Sequence, residues 1–153
     1  MRAIWILLLT LALFVPACAT NKTTGNVVKV LPFHLDREGR IAKSPSLFDR
    51  DAYQAYLRLH TNEISGVRYD VLWSAKNTGT NTLKVRVELR GFATSKIPSF
   101  KTLETEVKPG FFRTWTELRL AGNEFIQFGS VTAWRATLWE GDTQLAEQKS
   151  FLW

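Results

Sequence analysis

Val67-Arg68-Tyr69-Asp70-Val71-Leu72-Trp73-Ser74-Ala75, then Asn77-Thr78-Gly79-Thr80-Asn81, then Leu83-Lys84-Val85-Arg86-Val87-Glu88-Leu89-Arg90 is the stretch on which the fold class turns. In its first part Val67, Tyr69, Val71, Trp73 and Ala75 fall on one side of an extended chain, while Arg68, Asp70 and Ser74 fall on the other. In its last part Leu83, Val85, Val87 and Leu89 alternate with Lys84, Arg86, Glu88 and Arg90. Successive side chains point to opposite faces of a strand, so a period of two marks a sheet with one face buried and one wet. The Asn, Thr and Gly residues between the two runs carry turn chemistry. Both apolar rows are therefore expected to face one core.

The same rhythm extends outward in both directions. Leu103, Thr105 and Val107 alternate with Glu104 and Glu106, Lys108-Pro109-Gly110 makes a turn, and a strand is expected over Phe111–Leu120. Trp134, Ala136 and Leu138 alternate with Arg135 and Thr137, and Glu140-Gly141-Asp142 turns the chain into a last strand ending at Trp153. Val27–Phe33 reads as an edge strand, where Pro32 is tolerated because one side lacks a hydrogen-bonding neighbour. Phe48, Ala52, Ala55, Tyr56 and Leu59 recur at helical spacing, with Ser46 and Asp49 in a capping arrangement behind Pro45. These predict a short helix over 47–57, capping one open end of the fold.

About seven strands in series, with turns every ten or so residues, resemble an all-β, antiparallel, immunoglobulin-like or fibronectin-like sandwich over residues 26–153. There is no cysteine pair and no tyrosine corner, which excludes an antibody-type domain. A small closed barrel is the competing architecture, but an eighth strand and the early Gly-x-Trp of lipocalins are missing.

The chain has 153 residues, room for one domain behind a leader, and 45% hydrophobic with 22% charged residues suits a globule with a core. Twenty Lys and Arg against 14 Asp and Glu give a net charge of +6. The two signs alternate along the chain with no Lys/Arg run, a pattern that argues against nucleic acid as a partner.

The first residues read as an address. Met1 and Arg2 form a positive end and Ile4–Val15 an apolar run shorter than a bilayer span, the order of a removable export signal over 1–17. Val15-Pro16-Ala17-Cys18 resembles the lipobox of bacterial lipoproteins, with Pro16 where that family has a small or aliphatic residue. The resemblance implies acylation of Cys18, a membrane partner through that lipid, and, because Ala19 follows, sorting to the outer membrane facing periplasm or cell surface. Residues 18–25 would then be a flexible tether. Ala17-Cys18-Ala19 also reads as an ordinary exit cleaved after Ala19, giving a soluble periplasmic or secreted protein. Cys18 is the only cysteine, so no disulfide is available to the domain. Asn21-Lys22-Thr23 matches a glycosylation sequon and is read as chance in this context.

The residues offer little for catalysis. His34 and His60 are far apart and are read as surface or capping residues, and there is no nucleophile elbow, phosphate loop or metal-ligand spacing. No catalytic residue, metal or cofactor is expected, and the alternative of an envelope hydrolase rests only on carboxylates distant in sequence. Two surfaces are candidates for a protein or glycan partner. Trp115 and Trp139 fall opposite the apolar rows of their strands and would face outward, unless a bulge or the 121–130 segment covers them. Lys84, Arg86 and Arg90 project from one strand and Arg135 from a neighbour, a basic patch interrupted by Glu88. The apolar end Phe151-Leu152-Trp153 is expected to pack.

Overall fold

A computed structural model describes residues 23–79, 81–93 and 95–153. The expected signal, Cys18 and the sequon's Asn21 lie outside the described residues. Seven antiparallel strands among the described residues form two sheets. One has the order β1-β2-β5, comprising Thr24–Leu35, Gly66–Lys76 and Thr114–Ala121. The other has the order β4-β3-β6-β7, in which β3 is Leu83–Phe92, β4 Pro98–Val107, β6 Ser130–Glu140 and β7 Thr143–Lys149. Helix α1 spans Leu47–Leu59, a 3-10 turn Thr61–Glu63, and helix α2 Gly122–Phe128. The sheets are separate layers, so the closed barrel is set aside.

The inward rows are those the alternation marked. Val67, Tyr69, Val71 and Trp73 from β2 meet Leu83, Val85, Val87 and Leu89 from β3 and Ala136 and Leu138 from β6 in one buried cluster. Each fully buried aliphatic or aromatic side chain there contributes about 1.5–3 kcal/mol relative to exposure. Trp73 is buried without an orphaned donor, because its Nε1 donates to Thr116 Oγ1 at 2.7 Å. In β1 the register shifts between Val27 and Lys29. That bulge lets Val27 and Val30, three apart, both turn inward, where a regular strand would send one of them out.

The two ends of the sandwich differ. Near its start β1 presses on β7: a Cβ at Gly25 would stand 2.6 Å from Leu145 Cβ and 2.9 Å from Leu138 Cδ2, so only a residue without a side chain fits. Near its finish β1 is no longer sealed against β6, and a cleft lies between them. The first end is also where the chain enters, since Thr23 Oγ1 donates to the Asn77 carbonyl in the β2–β3 turn at 2.9 Å. Below, this is the entry end and the other the far end.

Several expectations change in detail. β1 begins at Thr24, so the last two residues of the expected tether belong to the sheet. Helix α1 is held at the finish of β1, where Gln54 bonds to His34, as described below. β5 starts at Thr114, leaving Phe111 and Phe112 in the preceding turn. β7 stops at Lys149, and Phe151 and Leu152 are exposed rather than packed, because they sit in a turn closed by the Trp153 N–H donating to the Ser150 carbonyl at 3.2 Å. Gly25→Ala is expected to lower stability by roughly 1–3 kcal/mol through overpacking at Leu145. Urea unfolding measures this, and an unchanged midpoint would show that β1 and β7 are not sealed there.

Candidate interaction surface

β1 is an edge strand, and the backbone groups on its outer side have no strand partner among the described residues. Gln54 of α1 fills that role. Its Oε1 accepts from the His34 N–H at 2.8 Å, and its Nε2 donates to the carbonyls of His34 at 2.9 Å and Ile41 at 2.8 Å. A carboxamide offers an acceptor and two donors, the same complement a neighbouring strand would present. Gln54 is only 3% exposed, and Leu57, one turn on, is fully buried beside it.

The preceding loop is tied to the same helix by Asp36, whose carboxylate accepts from the N–H groups of Glu38 and Arg40, from Arg40 Nε and from the Tyr53 hydroxyl at 2.8–3.0 Å. Burial alone would raise the Asp36 pKa, but these donors together outweigh it and hold the carboxyl below its ordinary value. The Tyr53 hydroxyl, part-buried against that anion, is pushed up to about 12.

Turning Gln54 and Leu57 inward turns the other side of α1 outward. The residues that share the helical apolar stripe, Phe48, Ala52, Ala55, Tyr56 and Leu59, are all exposed. Phe48 is 81% and Leu59 83% exposed. The helix thus buries an amide and a single leucine while most of its aromatic and aliphatic groups stand in water. His60 finishes it: its N–H bonds to the Leu57 and Tyr56 carbonyls, and its ring stacks on Tyr56 with centroids 3.9 Å apart. That is the capping role expected for His60.

His34 departs from its expected role as a surface or capping residue. It lies at the far-end cleft, between two adjoining hollows of about 220 and 340 Å³ that share His34, Val67 and Val131. Its Nδ1 is buried with no partner. Burial, and secondarily the Arg58 guanidinium, lowers its pKa, so the imidazole is neutral at pH 7. Trp134 and Tyr69 line one hollow and Phe125 and Ile126 of α2 the other. Among the described residues no three His, Cys, Asp or Glu side chains gather closely enough to hold a metal ion.

The basic residues singled out by alternation do share the outer face of the four-stranded sheet, but they are largely paired. Lys84 Nζ and Arg86 Nε both reach Glu104, at 3.2 and 2.7 Å, and Arg135 holds Glu88 at 2.7 Å. The Arg86 hydrogen bond, then that of Lys84, lowers the Glu104 pKa. Arg90 lies 3.9 Å from the Trp153 ring centroid, with Arg135 on the same ring at 5.0 Å. The face therefore carries mixed charge. Trp139 is outward but half-buried, its ring covered by the Arg86 guanidinium at 4.8 Å and its Nε1 donating to Thr137 Oγ1. Trp115 is 50% exposed on the outer face of the other sheet, so the two indoles do not form one platform. The 121–130 segment contains α2, whose Phe128 is buried in the core, and it leaves Trp115 exposed.

The stripe on α1 was visible in the sequence as a stripe; nothing local marked it as outward, because periodicity groups residues without saying which group faces the core. Phe111 and Phe112, missed as surface residues, sit just after Pro109-Gly110, and that turn was the available signal.

Gln54→Leu leaves the His34 N–H and C=O without partners and is expected to cost about 1–3 kcal/mol in urea unfolding; a neutral result would refute the clamp. Asp36 has a depressed pKa in the fold, so its contribution is present above the unfolded value near 3.8 and is lost as pH falls through the lower folded value. Stability measured from about pH 5 downward should therefore fall less steeply in Asp36→Asn than in the parent. Equal slopes would show that the Asp36 hub is not linked to folding. In comparison with known proteins, the chain matches no family model, no curated protein and no solved structure.

Proposed function

We propose that the chain is an exported, lipid-tethered, non-catalytic module of the cell envelope that presents the apolar face of α1 to a partner protein. The observation that carries this reading is the apolar face that α1 turns to solvent. An exposed row of Phe48, Ala52, Ala55 and Leu59 has the spacing by which one helix fills a groove of another protein. A convex, apolar surface with few hydrogen-bonding groups suits protein better than sugar. A glycan platform would need a flat indole with polar neighbours, and Trp115 lies on β5 toward the entry end, apart from α1.

The tether reading rests on the Met1–Cys18 pattern and is supported by the chain's path. β1 runs from the entry end directly toward α1, so an anchor at Cys18 would hold the helix away from the membrane. With Ala19 following, the outer membrane is the expected address. The strand order supports a fibronectin-like rather than a constant-type immunoglobulin arrangement: the latter keeps its fourth strand on the sheet of the first two, whereas β4 here pairs with β3.

Intact mass of the protein recovered from membranes should show acyl chains on Cys18 and lose them in Cys18→Ala. A mature, unlipidated protein beginning at Thr20 would defeat the anchor. A photo-crosslinking residue in place of Ala52 or Ala55, on the exposed row with Phe48 and Leu59, should capture a discrete protein in cells. Phe48→Asp with Leu59→Asp should reduce that capture by roughly tenfold or more, the scale of losing an interface anchor, with unfolding midpoint unchanged. Capture unaffected by the double substitution would defeat the partner surface.

A further inference from the structure

The entry end carries its own exposed aromatics. Phe111 and Phe112, at the tip of the β4–β5 turn, are 95% and 79% exposed and rest edge to face with centroids 4.8 Å apart. Adjacent phenylalanines in water at a loop tip satisfy no packing need of the fold. They border a groove of about 660 Å³ lined also by Asn26, Ser74, Lys76 and Arg113. Lys76, Lys108 and Arg113 lie at this end without an ion-pair partner among the described residues, and Lys29 follows further along β1. Trp115 stands beside them on the outer face, across from Leu72. Acidic Glu106, Glu140 and Asp142 lie at the same end, and the Glu140 carboxylate already accepts the Gly79 N–H.

The position of this cluster matters because of the chain that precedes it. Thr23 is fixed to Asn77 at this end. Cys18 is five residues earlier, so whatever path those residues take, its sulfur lies within about 18 Å or so of Thr23. On the anchor reading proposed above, an acylated Cys18 sits at the bilayer surface. The entry end would then be held within about 18 Å of the bilayer surface, near enough for Phe111 and Phe112 at its rim to reach lipid.

We infer that the entry end is a membrane-contacting surface in which Phe111 and Phe112 insert among the lipids, Trp115 lies at headgroup depth, and Lys76, Lys108 and Arg113 meet anionic headgroups. Paired Phe side chains gain by leaving water for the acyl boundary, an indole favours the interface, and each cation near an anionic surface adds attraction. The anchor then fixes location, and this surface fixes orientation, with α1 directed outward.

The test uses the acylated protein purified from membranes, whose Cys18 is blocked, so that Phe111→Cys supplies a single free thiol for a polarity-sensitive fluorophore. In vesicles of phosphatidylethanolamine and phosphatidylglycerol the label at 111 should shift to the blue and be quenched several-fold more by nitroxide-bearing lipids than a label at Leu59→Cys on α1. Lys76→Glu, Lys108→Glu and Arg113→Glu together should return the 111 label toward the aqueous signal. Equal, water-like signals at 111 and 59 on a protein whose mass shows the acyl chains would overturn the inference and leave the anchor standing. A mass without acyl chains would sink both.

Discussion

The outer edge of β1 sets the terms for much of the far end. An extended backbone at the margin of a sheet presents donors and acceptors that must find partners, and the sequence answers with one carboxamide, Gln54, instead of another strand. That choice dictates the rotation of α1 about its axis. With Gln54 and Leu57 facing β1, Phe48 and Leu59 have only solvent to face. The Asp36 cluster reinforces the same rotation by joining the loop to Tyr53, which lies one position before the amide. An apolar helix face in water is thus the by-product of protecting a strand edge, and it is the feature on which a role in recognition depends.

How far the sequence could be read follows from the range of each interaction. Alternation in β2 and β3 is a property of the strand itself, so Val71, Trp73, Val85 and Val87 could be assigned to the core without knowing what they meet. The grouping of Lys84, Arg86 and Arg90 on one outer face came from the same source. Their neutralisation did not, because the pairing of Arg86 with Glu104 and of Arg135 with Glu88 depends on the registers of β3 with β4 and β6. The extent of α1 was legible to within two residues, whereas its orientation was decided by a hydrogen bond to His34, twenty positions away. Phe111 and Phe112 read as strand residues because hydrophobicity alone does not distinguish an inward side chain from one held at a turn.

The two ends of the sandwich are built differently. At the entry end Gly25 lets β1 lie tight on β7, and the aromatic and cationic groups are carried on turns. At the far end the sheets part around His34, and helical elements supply the surface. The topology produces this difference by starting β1 at one end and finishing it beside α1, which is the layout that the proposed tether and partner surface would use.

That layout has a mechanical consequence. Apart from the bulge between Val27 and Lys29, β1 is paired with β2 from Thr24 to Leu35, so its backbone is close to full extension and has little slack to give up. Under the proposed anchor, a pull between Cys18 and α1 would enter through this strand and the loop braced by Asp36. The ladder to β2 would take up part of that load in shear, so the three-stranded sheet would bear it first.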